Sequence, residues 1–323
     1  MPAVLTLFAA LLLSLLTVAP AEAVTRLVDD DRRQCAAPFT TIQSAVDAAA
    51  PGDRVLVCPG VYPEQVTIPG EKHSLQVISN TLRAAVVRSS VPFNVQANGV
   101  EIARFRIEGG GIGVTHAGSN PIGIAGIRDN LILRASVGIG IDDAGGGRIQ
   151  GNTILDYDAT GIELRTPSGL SLGASASILS NTLTGRPGSI GISVQQGPFG
   201  SNQQSHASIF GNRIANNTDA GIDIFNAIAE IKSNRIVDNG VGLRLRLTGG
   251  PLVETNVITN NRRQGILVED SGGILFNAND ARSNEMLDCE DRTGPGGSGT
   301  AGTMNTWTAN RGLDASPPGI CRP

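Results

Sequence analysis

The chain has 323 residues, a formal charge of −4 at neutral pH and a hydrophobic share of 40%. That share excludes a chain that is disordered along its length, because it provides enough apolar surface to form a core. The mild negative charge removes the electrostatic reason to expect a nucleic-acid partner. Glycine is abundant at 41 residues, too many for a helical bundle, and it lacks the three-residue period of collagen.

The first 23 residues have the pattern of a cleavable export signal. Val4 to Val18 is an apolar run, and Ala21-Glu22-Ala23 supplies the small-x-small pattern that precedes cleavage. The run is short for a spanning helix, but no basic side chain precedes it, so an uncleaved anchor is the alternative. We predict a signal peptide over residues 1–23 and a secreted, extracellular mature protein with no membrane contact.

Residues 24–61 are predicted to form an N-terminal cap that contains a short amphipathic helix. Thr40 or Thr41 is its N-cap, and a Pro-Gly pair stops it at the far end. Ile42 and Val46 fall on the same, apolar face of this helix. A helix with one apolar face is expected to cover the open core of the repeat that follows it.

Residues 62–288 carry an internal repeat with two halves. The first half, Asn-x-aliphatic, begins at Asn130, Asn152, Asn181, Asn212, Asn234 and Asn256. The second half, Gly-(Ile/Leu)-x-aliphatic, begins at Gly138, Gly161, Gly191, Gly221, Gly242 and Gly265. The Asn positions differ by 22, 29, 31, 22 and 22 residues, so the base period is 22 and two repeats contain insertions.

Each half-repeat alternates apolar and polar residues, which is the periodicity of a β-strand. Such short strands bury their apolar side only when coils stack ~4.8 Å apart as parallel strands around a shared interior. The sequence therefore predicts an all-β protein, a single-stranded parallel β-helix (solenoid) of about ten coils over residues 62–288. The repeated Asn is structural in this interpretation, because it tolerates a left-handed corner and its amides can bond from coil to coil.

Four cysteines in an exported chain favour two disulfides. Cys35 and Cys58 flank one compact segment, and Cys289 and Cys321 flank the glycine-rich tail, so pairing within each couple is favoured over the other connectivities. A zinc site is disfavoured because no Cys-x-x-Cys spacing occurs. We predict that residues 289–323 form a C-terminal cap closed by the second disulfide.

The segment from Phe39 to Glu64, together with the Asn-x-Ile…Gly-Ile-x-Ile units, carries a resemblance to a known superfamily. The segment is similar to the N-terminal cap of pectin-lyase-like right-handed parallel β-helix proteins, and the units resemble their coil repeat. The resemblance covers residues 39–288 and implies a right-handed coil with an N-terminal helical cap. It leaves the activity open, because the superfamily includes lyases, hydrolases, epimerases, esterases and proteins of no assigned activity.

The catalytic signatures of several of these families are absent. Polygalacturonase-type hydrolases carry Asn-Thr-Asp-Gly-x-Asp, and Asn217–Asp223 comes close but has one extra residue. Asp142-Asp143 lies on the wrong side of that motif to supply the paired acid, and the Asp-Pro-His-Glu of mannuronan epimerases does not occur. We therefore interpret Asn217–Asp223 as part of the coil repeat.

Candidate site residues come from the outward positions of the Gly-Ile-x-Ile-x strand, since its aliphatic side chains point inward. One outward column is predicted to contain Gly140, Glu163, Ser193, Asp223, Arg244 and Leu267, and the next to contain Asp142, Arg165, Gln195, Phe225, Arg246 and Glu269. Insertions near 166–176 and 195–205 follow this strand in successive coils and should stand side by side. A charged face beside such a wall is typical of a groove for an extended polymer.

We expect Arg244 and Asp223 to be catalytic and Glu163, Arg165 and Arg246 to bind substrate. In this hypothesis the protein is a lyase that acts on extracellular acidic polysaccharide by β-elimination. In this reaction an arginine with a lowered pKa, here Arg244, or a relay through it takes the proton beside the uronate carboxylate, and a metal or other cation neutralises that carboxylate.

Two further expectations concern cofactors and the alternative function. Ca²⁺ is the one cofactor that the sequence suggests, because Glu163 and Asp223 offer oxygen ligands. The alternative is a non-catalytic cell-wall or surface binding module, in which the charged positions pair only as surface contacts. In both hypotheses the mature protein is expected to be a monomer whose partner is a polysaccharide, with no nucleic acid.

Overall fold

A computed structural model of the protein describes residues 22–115, 123–124, 126–142, 147–166, 173–196 and 204–323. These residues form a right-handed parallel β-helix, as predicted, with about 11 turns where about ten were expected, and its three parallel sheets run along the helix axis. Nearly all of the predicted signal peptide lies outside the described residues. Among the described residues, no helix has the length and apolar character needed to cross a membrane.

Each regular turn contributes one short strand to each sheet. The first sheet has twelve strands, in the order β1 (Thr25–Val28), β2 (Arg54–Val57), β5 (Gln76–Ser79), β8 (Glu101–Ala103), β11 (Gly126–Arg128), β14 (Arg148–Gln150), β17 (Ser175–Leu179), β20 (His206–Phe210), β23 (Ile228–Lys232), β26 (Leu252–Glu254), β29 (Leu275–Asn277) and β31 (Thr306–Thr308).

The other two sheets follow the same axis. The second sheet has nine strands, β3 (Gly60–Tyr62), β6 (Ala85–Arg88), β9 (Arg106–Glu108), β12 (Leu131–Leu133), β15 (Thr153–Tyr157), β18 (Thr182–Gly185), β21 (Arg213–Ala215), β24 (Arg235–Val237) and β27 (Val257–Thr259). The third sheet has eleven, β4 (Val66–Ile68), β7 (Phe93–Val95), β10 (Ile112–Thr115), β13 (Val137–Asp142), β16 (Thr160–Arg165), β19 (Ile190–Gln195), β22 (Ala220–Phe225), β25 (Val241–Arg246), β28 (Ile266–Glu269), β30 (Cys289–Asp291) and β32 (Ala315–Ser316).

The interior is one continuous column of aliphatic side chains, because every strand places alternate residues inward. In the third sheet, for example, Ile139, Ile162 and Ile192 are in register on neighbouring strands and are completely buried. Burial of each such side chain stabilises the fold by roughly 1.5–3 kcal/mol. The outward positions between them are thus fixed in direction by the core.

The repeated Asn residues form a buried ladder at the corner between the first and second sheets. Each donates its backbone N–H and its Nδ2 to the Oδ1 of the next at about 3.0 Å. The coil-to-coil bonding is as predicted, but the left-handed residue of the corner is the one before the Asn. Asp129, Ser180 and Thr255 have φ of 59°, 53° and 55°. The Asn is needed for its amide rather than for its backbone.

A second Asn ladder lies at the corner before the third sheet and was not recognised in the sequence. It joins Asn217, Asn239, Asn261 and Asn284 by the same pair of bonds. Asn217 also accepts a hydrogen bond from the buried hydroxyl of Tyr157. The start of the hydrolase-like motif is therefore a structural position of the coil, as the sequence interpretation held.

The N-terminal end of the core is covered by helix α1 (Ile42–Ala48). Thr41 is its N-cap and accepts from the N–H of Ser44, and Ile42 and Val46 are completely buried. The stack of paired strands begins before residue 62, because β1, β2 and β3 already pair with the strands that follow. These early strands raise the number of turns above the predicted ten.

The C-terminal end is closed by the tail after residue 288. This tail adds β30, β31 and β32 to the parallel sheets. Trp307 stacks on Phe276 with ring centroids 3.8 Å apart, and its Nε1 donates to Asp291 at 2.9 Å. The predicted disulfides Cys35–Cys58 and Cys289–Cys321 are both present, one at each end of the solenoid.

Candidate functional site

The outer face of the third sheet carries the two columns of side chains predicted from the sequence, in the predicted register. Neighbouring strands pair Gly140, Glu163, Ser193, Asp223, Arg244 and Leu267 in one column. They pair Asp142, Arg165, Gln195, Phe225, Arg246 and Glu269 in the other. The candidate residues lie on one face, but they form two groups with different contacts.

The first group, here called the ion-pair cluster, consists of Asp219, Asp223, Arg244 and Arg246. Arg244 donates to both oxygens of Asp223 at 3.1 and 2.9 Å and to both oxygens of Asp219 at 3.0 Å. Arg246 donates to Asp223 at 2.7 Å, and its guanidinium lies 5.1 Å from the ring of Phe225. Asp223 is only 3% exposed, so two guanidinium groups neutralise a buried carboxylate.

These contacts argue against Arg244 as a base. Burial alone would lower the pKa of Arg244, but the hydrogen bonds and charges of Asp223 and Asp219 outweigh it and raise that pKa. The expectation of a lowered pKa is therefore wrong. Four of its donor contacts already go to these carboxylates, which leaves Arg244 poorly placed to bind a substrate group as well.

The two carboxylates suggested for Ca²⁺ differ in how far arginines already occupy them. Glu163 and Asp223 lie on strands separated by the one that carries Ser193, which places their backbones roughly 9–10 Å apart. Calcium ligands lie within about 2.6 Å of the ion, and Asp223 is already held by two guanidinium groups. We therefore assign no metal to this pair.

The second group surrounds Glu163, whose side chain is 14% exposed. Arg165 lies 3.8 Å from a carboxylate oxygen of Glu163 and makes a two-point ion pair with Asp142 at 2.7 and 2.9 Å. Burial raises the pKa of Glu163, Arg165 opposes the shift, and the negative charge of Asp142 adds to it. A carboxyl group with a raised pKa is suited to proton transfer near neutral pH.

Glu163 lines a shallow cavity of about 270 Å³, here called the glycine groove. Its lining includes Gly113 and Gly140, which occupy the two outward positions before Glu163 in the same column, together with Asp142 and Arg165. A Cβ at Gly113 or Gly140 would meet its nearest atom at 3.8 or 3.7 Å, an ordinary contact. Neither glycine is required by its neighbours.

The repeat glycines of the same strands behave differently. A Cβ at Gly161 would lie 2.7 Å from the carbonyl oxygen of Gly191 on the next coil, which leaves no room for a side chain. Gly161 is thus a structural residue, whereas Gly140 keeps the floor of the groove open. Glycine inside a strand with free space above it is typical of a place where a ligand approaches the backbone closely.

The two predicted insertions flank this face, and their central parts, 167–172 and 197–203, lie outside the described residues. Their described ends are in contact: the hydroxyl groups of Thr166 and Ser205 are 3.1 Å apart, and Ser205 donates to the carbonyl oxygen of Gln195. The bases of the insertions therefore stand side by side, as expected.

Comparison with known proteins agrees with this architecture. The sequence profile of a family described as the right-handed β-helix region matches residues 168–301. The A-module of a mannuronan C-5 epimerase from Azotobacter vinelandii has a similar structure, with a TM-score of 0.63, 13% identity, and coverage of 90% of this chain and 96% of that one. No curated protein sequence matches the chain.

Two other solved structures are similar as well. A pectate lyase aligns with a TM-score of 0.57 and 15% identity over 91% of this chain and 79% of its own. A periplasmic alginate epimerase aligns with a TM-score of 0.53 and 18% identity over 82% of this chain and 67% of its own. The chain is thus a right-handed parallel β-helix, which confirms the resemblance drawn from the sequence at the level of the fold.

All five candidate residues lie on one outer face, as predicted, but the sequence pattern did not separate the two groups. It also did not recognise Gly113 and Gly140 as part of a site. The available signal was the glycine at the x position of two successive coils, Gly111-Ile-Gly-Val and Gly138-Ile-Gly-Ile, where the later coils carry a side chain.

Proposed function

We propose that this protein is a secreted polysaccharide lyase that cleaves an acidic, uronate-containing polymer by β-elimination, with Glu163 as the base. The observation that carries the proposal is the position of Glu163 at the edge of a groove whose floor is two sterically unnecessary glycines. An open floor admits a sugar ring to the depth of the strand backbone, and Glu163 is the carboxyl group that meets it.

The chemistry follows from the neighbours of Glu163. Its carboxylate takes the proton from the carbon beside the uronate carboxylate, and the released electron pair forms a carbon–carbon double bond. The bond to the glycosidic oxygen breaks, and that oxygen takes a proton from solvent. Arg165, about half exposed and oriented by Asp142, is placed to stabilise the negative charge that develops on the uronate carboxylate.

The proposed substrate class and compartment have independent support. The compared pectate lyase and alginate epimerases are named for reactions on polysaccharides. The Asp-Pro-His-Glu sequence of mannuronan epimerases is absent here, which favours elimination over epimerisation. Two disulfides are typical of proteins that fold outside the reducing cytosol, in agreement with the predicted signal peptide.

The test is an assay of ultraviolet absorbance from the unsaturated uronate product on polygalacturonate, alginate and glycosaminoglycans. Glu163→Gln should abolish the signal, because the amide cannot accept the proton. Glu269→Gln is the matched control, since Glu269 lies in the outer column of the same face but pairs with Arg292. Equal activity of the wild type and Glu163→Gln on every polymer that is cleaved would exclude Glu163 as the base.

A second candidate function is polysaccharide binding without turnover, as in a cell-wall or surface module. The ion-pair cluster favours it, because Asp223 and Arg244 satisfy each other as in a surface built for stability. In that case the wild-type protein would be retained on one of these polymers, would release no unsaturated product, and would lose retention when Gly140→Leu fills the groove.

A further inference from the structure

The outer face of the second sheet has a charge balance that differs from that of the whole chain. From β6 to β27 one outward column contains no carboxylate, and Asp280 follows Val257 beyond that stretch. Its members are in register and are Val86, Arg106, Leu131, Thr153, Thr182, Arg213, Arg235 and Val257. The other column adds one arginine, Arg88, and one acid, Glu108. These positions carry a net charge of +3, whereas the chain as a whole carries −4.

Arg213 and Arg235 are direct neighbours on adjacent strands, and both are exposed. Neither takes part in an ion pair with any residue in the described part of the chain. Like charges opposite each other on paired strands destabilise a sheet, so stability alone would favour an acid or a neutral residue at one of the two positions. The pair is better explained by an anionic partner that lies across both.

A second concentration of positive charge lies at the other end of the face. Glu108 is buried, and its carboxylate is within 2.9 Å of Arg88, 2.6 Å of Arg106 and 3.4 Å of Arg134. One carboxylate neutralises one of three guanidinium groups, and Arg88 and Arg134 are largely exposed. Glu108 and its three arginines therefore present about two excess positive charges to solvent.

We propose that this surface, here called the basic face, binds a linear anionic glycan laid along the helix axis. From β6 to β24 the face spans six strand intervals, or roughly 29 Å, enough for a polymer segment rather than a single anion. Between the charges it offers Thr153, Thr182 and Leu131, and neither outward column contains an aromatic side chain. Bases of a single-stranded nucleic acid would find no stacking platform there, which favours a glycan.

The inference takes its polymer class from the proposed function but uses a different sheet. The glycine groove lies on the third sheet, and the basic face lies on the second, so one polymer can be retained by the basic face while the groove acts on another segment. Retention and turnover should therefore respond to different substitutions.

The experiment measures retention of the full chain on immobilised polygalacturonate and alginate at low and high salt. Arg213→Gln/Arg235→Gln should weaken retention about tenfold at low salt, because two exposed charges are lost. Arg54→Gln/Arg148→Gln removes the same charge from exposed positions of the first sheet and is the matched control. Retention by the wild type should fall as salt screens the charges.

The outcomes distinguish the basic face from the groove. If Arg213→Gln/Arg235→Gln and its control are retained equally, the basic face is not a binding site. If single-stranded DNA binds the wild type more tightly than either polymer does, the glycan assignment is overturned. Retention does not depend on turnover, so a finding that no polymer yields an unsaturated product would overturn the lyase proposal and leave the retention result standing. Melting temperatures close to that of the wild type would show that both double variants are folded.

Discussion

Glu163 of the glycine groove and Asp223 of the ion-pair cluster lie in the same column of the same sheet, two strands apart. They differ in whether the carboxylate remains accessible to a ligand. At Asp223, two arginines bind the carboxylate and bury it. At Glu163, one arginine stands at 3.8 Å, and the two preceding positions in the column are glycines. The same coil geometry thus produces one carboxylate that is buried between arginines and one that faces a groove.

An outward charged position is therefore weak evidence for a functional site when it is considered alone. What separates the two regions is whether the carboxylate oxygens are already bound by arginines, as they are at Asp223, and whether space is left above the charged groups. Arg246 Nε, which is buried and has no hydrogen-bond partner among the described residues, does not change this difference. A buried carboxylate between two guanidinium groups contributes to stability when intact, whereas a partly desolvated carboxyl beside a groove can exchange a proton.

The largest expected difference between the two regions appears when each carboxylate is neutralised in turn. Glu163→Gln should lower the turnover of an active preparation by about 1,000-fold, as expected for loss of a general base. Asp223→Asn should leave the turnover of the folded molecules within a few-fold and instead lower the melting temperature. Lyase rates measured together with thermal unfolding test this, and the reverse pattern would move the site to the ion-pair cluster.

The glycines of the two kinds should respond in opposite ways. Gly161→Ala should destabilise the fold by about 3 kcal/mol, because its Cβ would collide with the carbonyl oxygen of Gly191. Gly140→Ala should leave the free energy of unfolding nearly unchanged, since its Cβ would make only ordinary contacts. Urea unfolding of the two variants measures this. Similar losses in the free energy of unfolding for both would mean that the coil requires glycine at position 140 as it does at position 161.

Arg244→Ala sharpens the description of the ion-pair cluster. A purely surface ion pair would contribute at most about 1 kcal/mol, but here the change leaves Asp223 buried with only Arg246 as a charged partner. We expect a loss of about 2 kcal/mol. Arg292→Ala is the control, because Arg292 makes ion pairs with Glu269 and Glu290 at a more exposed position. Equal losses would mean that burial of Asp223 does not matter.

The smallest expected effects concern pH, and they have opposite signs at two glutamates. Burial raises the pKa of Glu163 more than Arg165 lowers it, so its favourable contribution is present in acid and is lost as pH rises through the raised pKa. Glu163→Gln should therefore be slightly more stable than the wild type at neutral pH, with a difference that vanishes in acid.

Glu108 is the opposite case. Burial alone would raise its pKa, but Arg106 and Arg88 outweigh burial and lower it, so its contribution is present at neutral pH and is lost as pH falls through the lowered pKa. Glu108→Gln should melt below the wild type at neutral pH and approach it in acid. Melting temperatures across the pH range test both signs, and parallel curves for Glu163→Gln and Glu108→Gln would contradict them.

The repeat, the sheet register and both disulfides could be predicted from the order of residues alone. A core that runs through every coil forces the aliphatic residues of Gly-Ile-x-Ile inward, and the period then places Glu163, Asp223 and Arg244 in one column. Cysteine couples that are close in sequence at each end of a solenoid have few other partners. These conclusions depend only on local periodicity and chain order, which a repeat preserves from coil to coil.

Which of the charged positions are open could not be predicted without the three-dimensional arrangement of the coils. Whether Asp223 is buried depends on where Arg244 and Arg246 direct their guanidinium groups, and whether Gly140 leaves a cavity depends on side chains from neighbouring coils. Long side chains reach across one or two rungs, so their contacts are set by three-dimensional neighbours rather than by spacing along the chain. The Asn corners were predicted at the right place in the coil, but the residue with left-handed backbone is the one before each Asn and not the Asn itself.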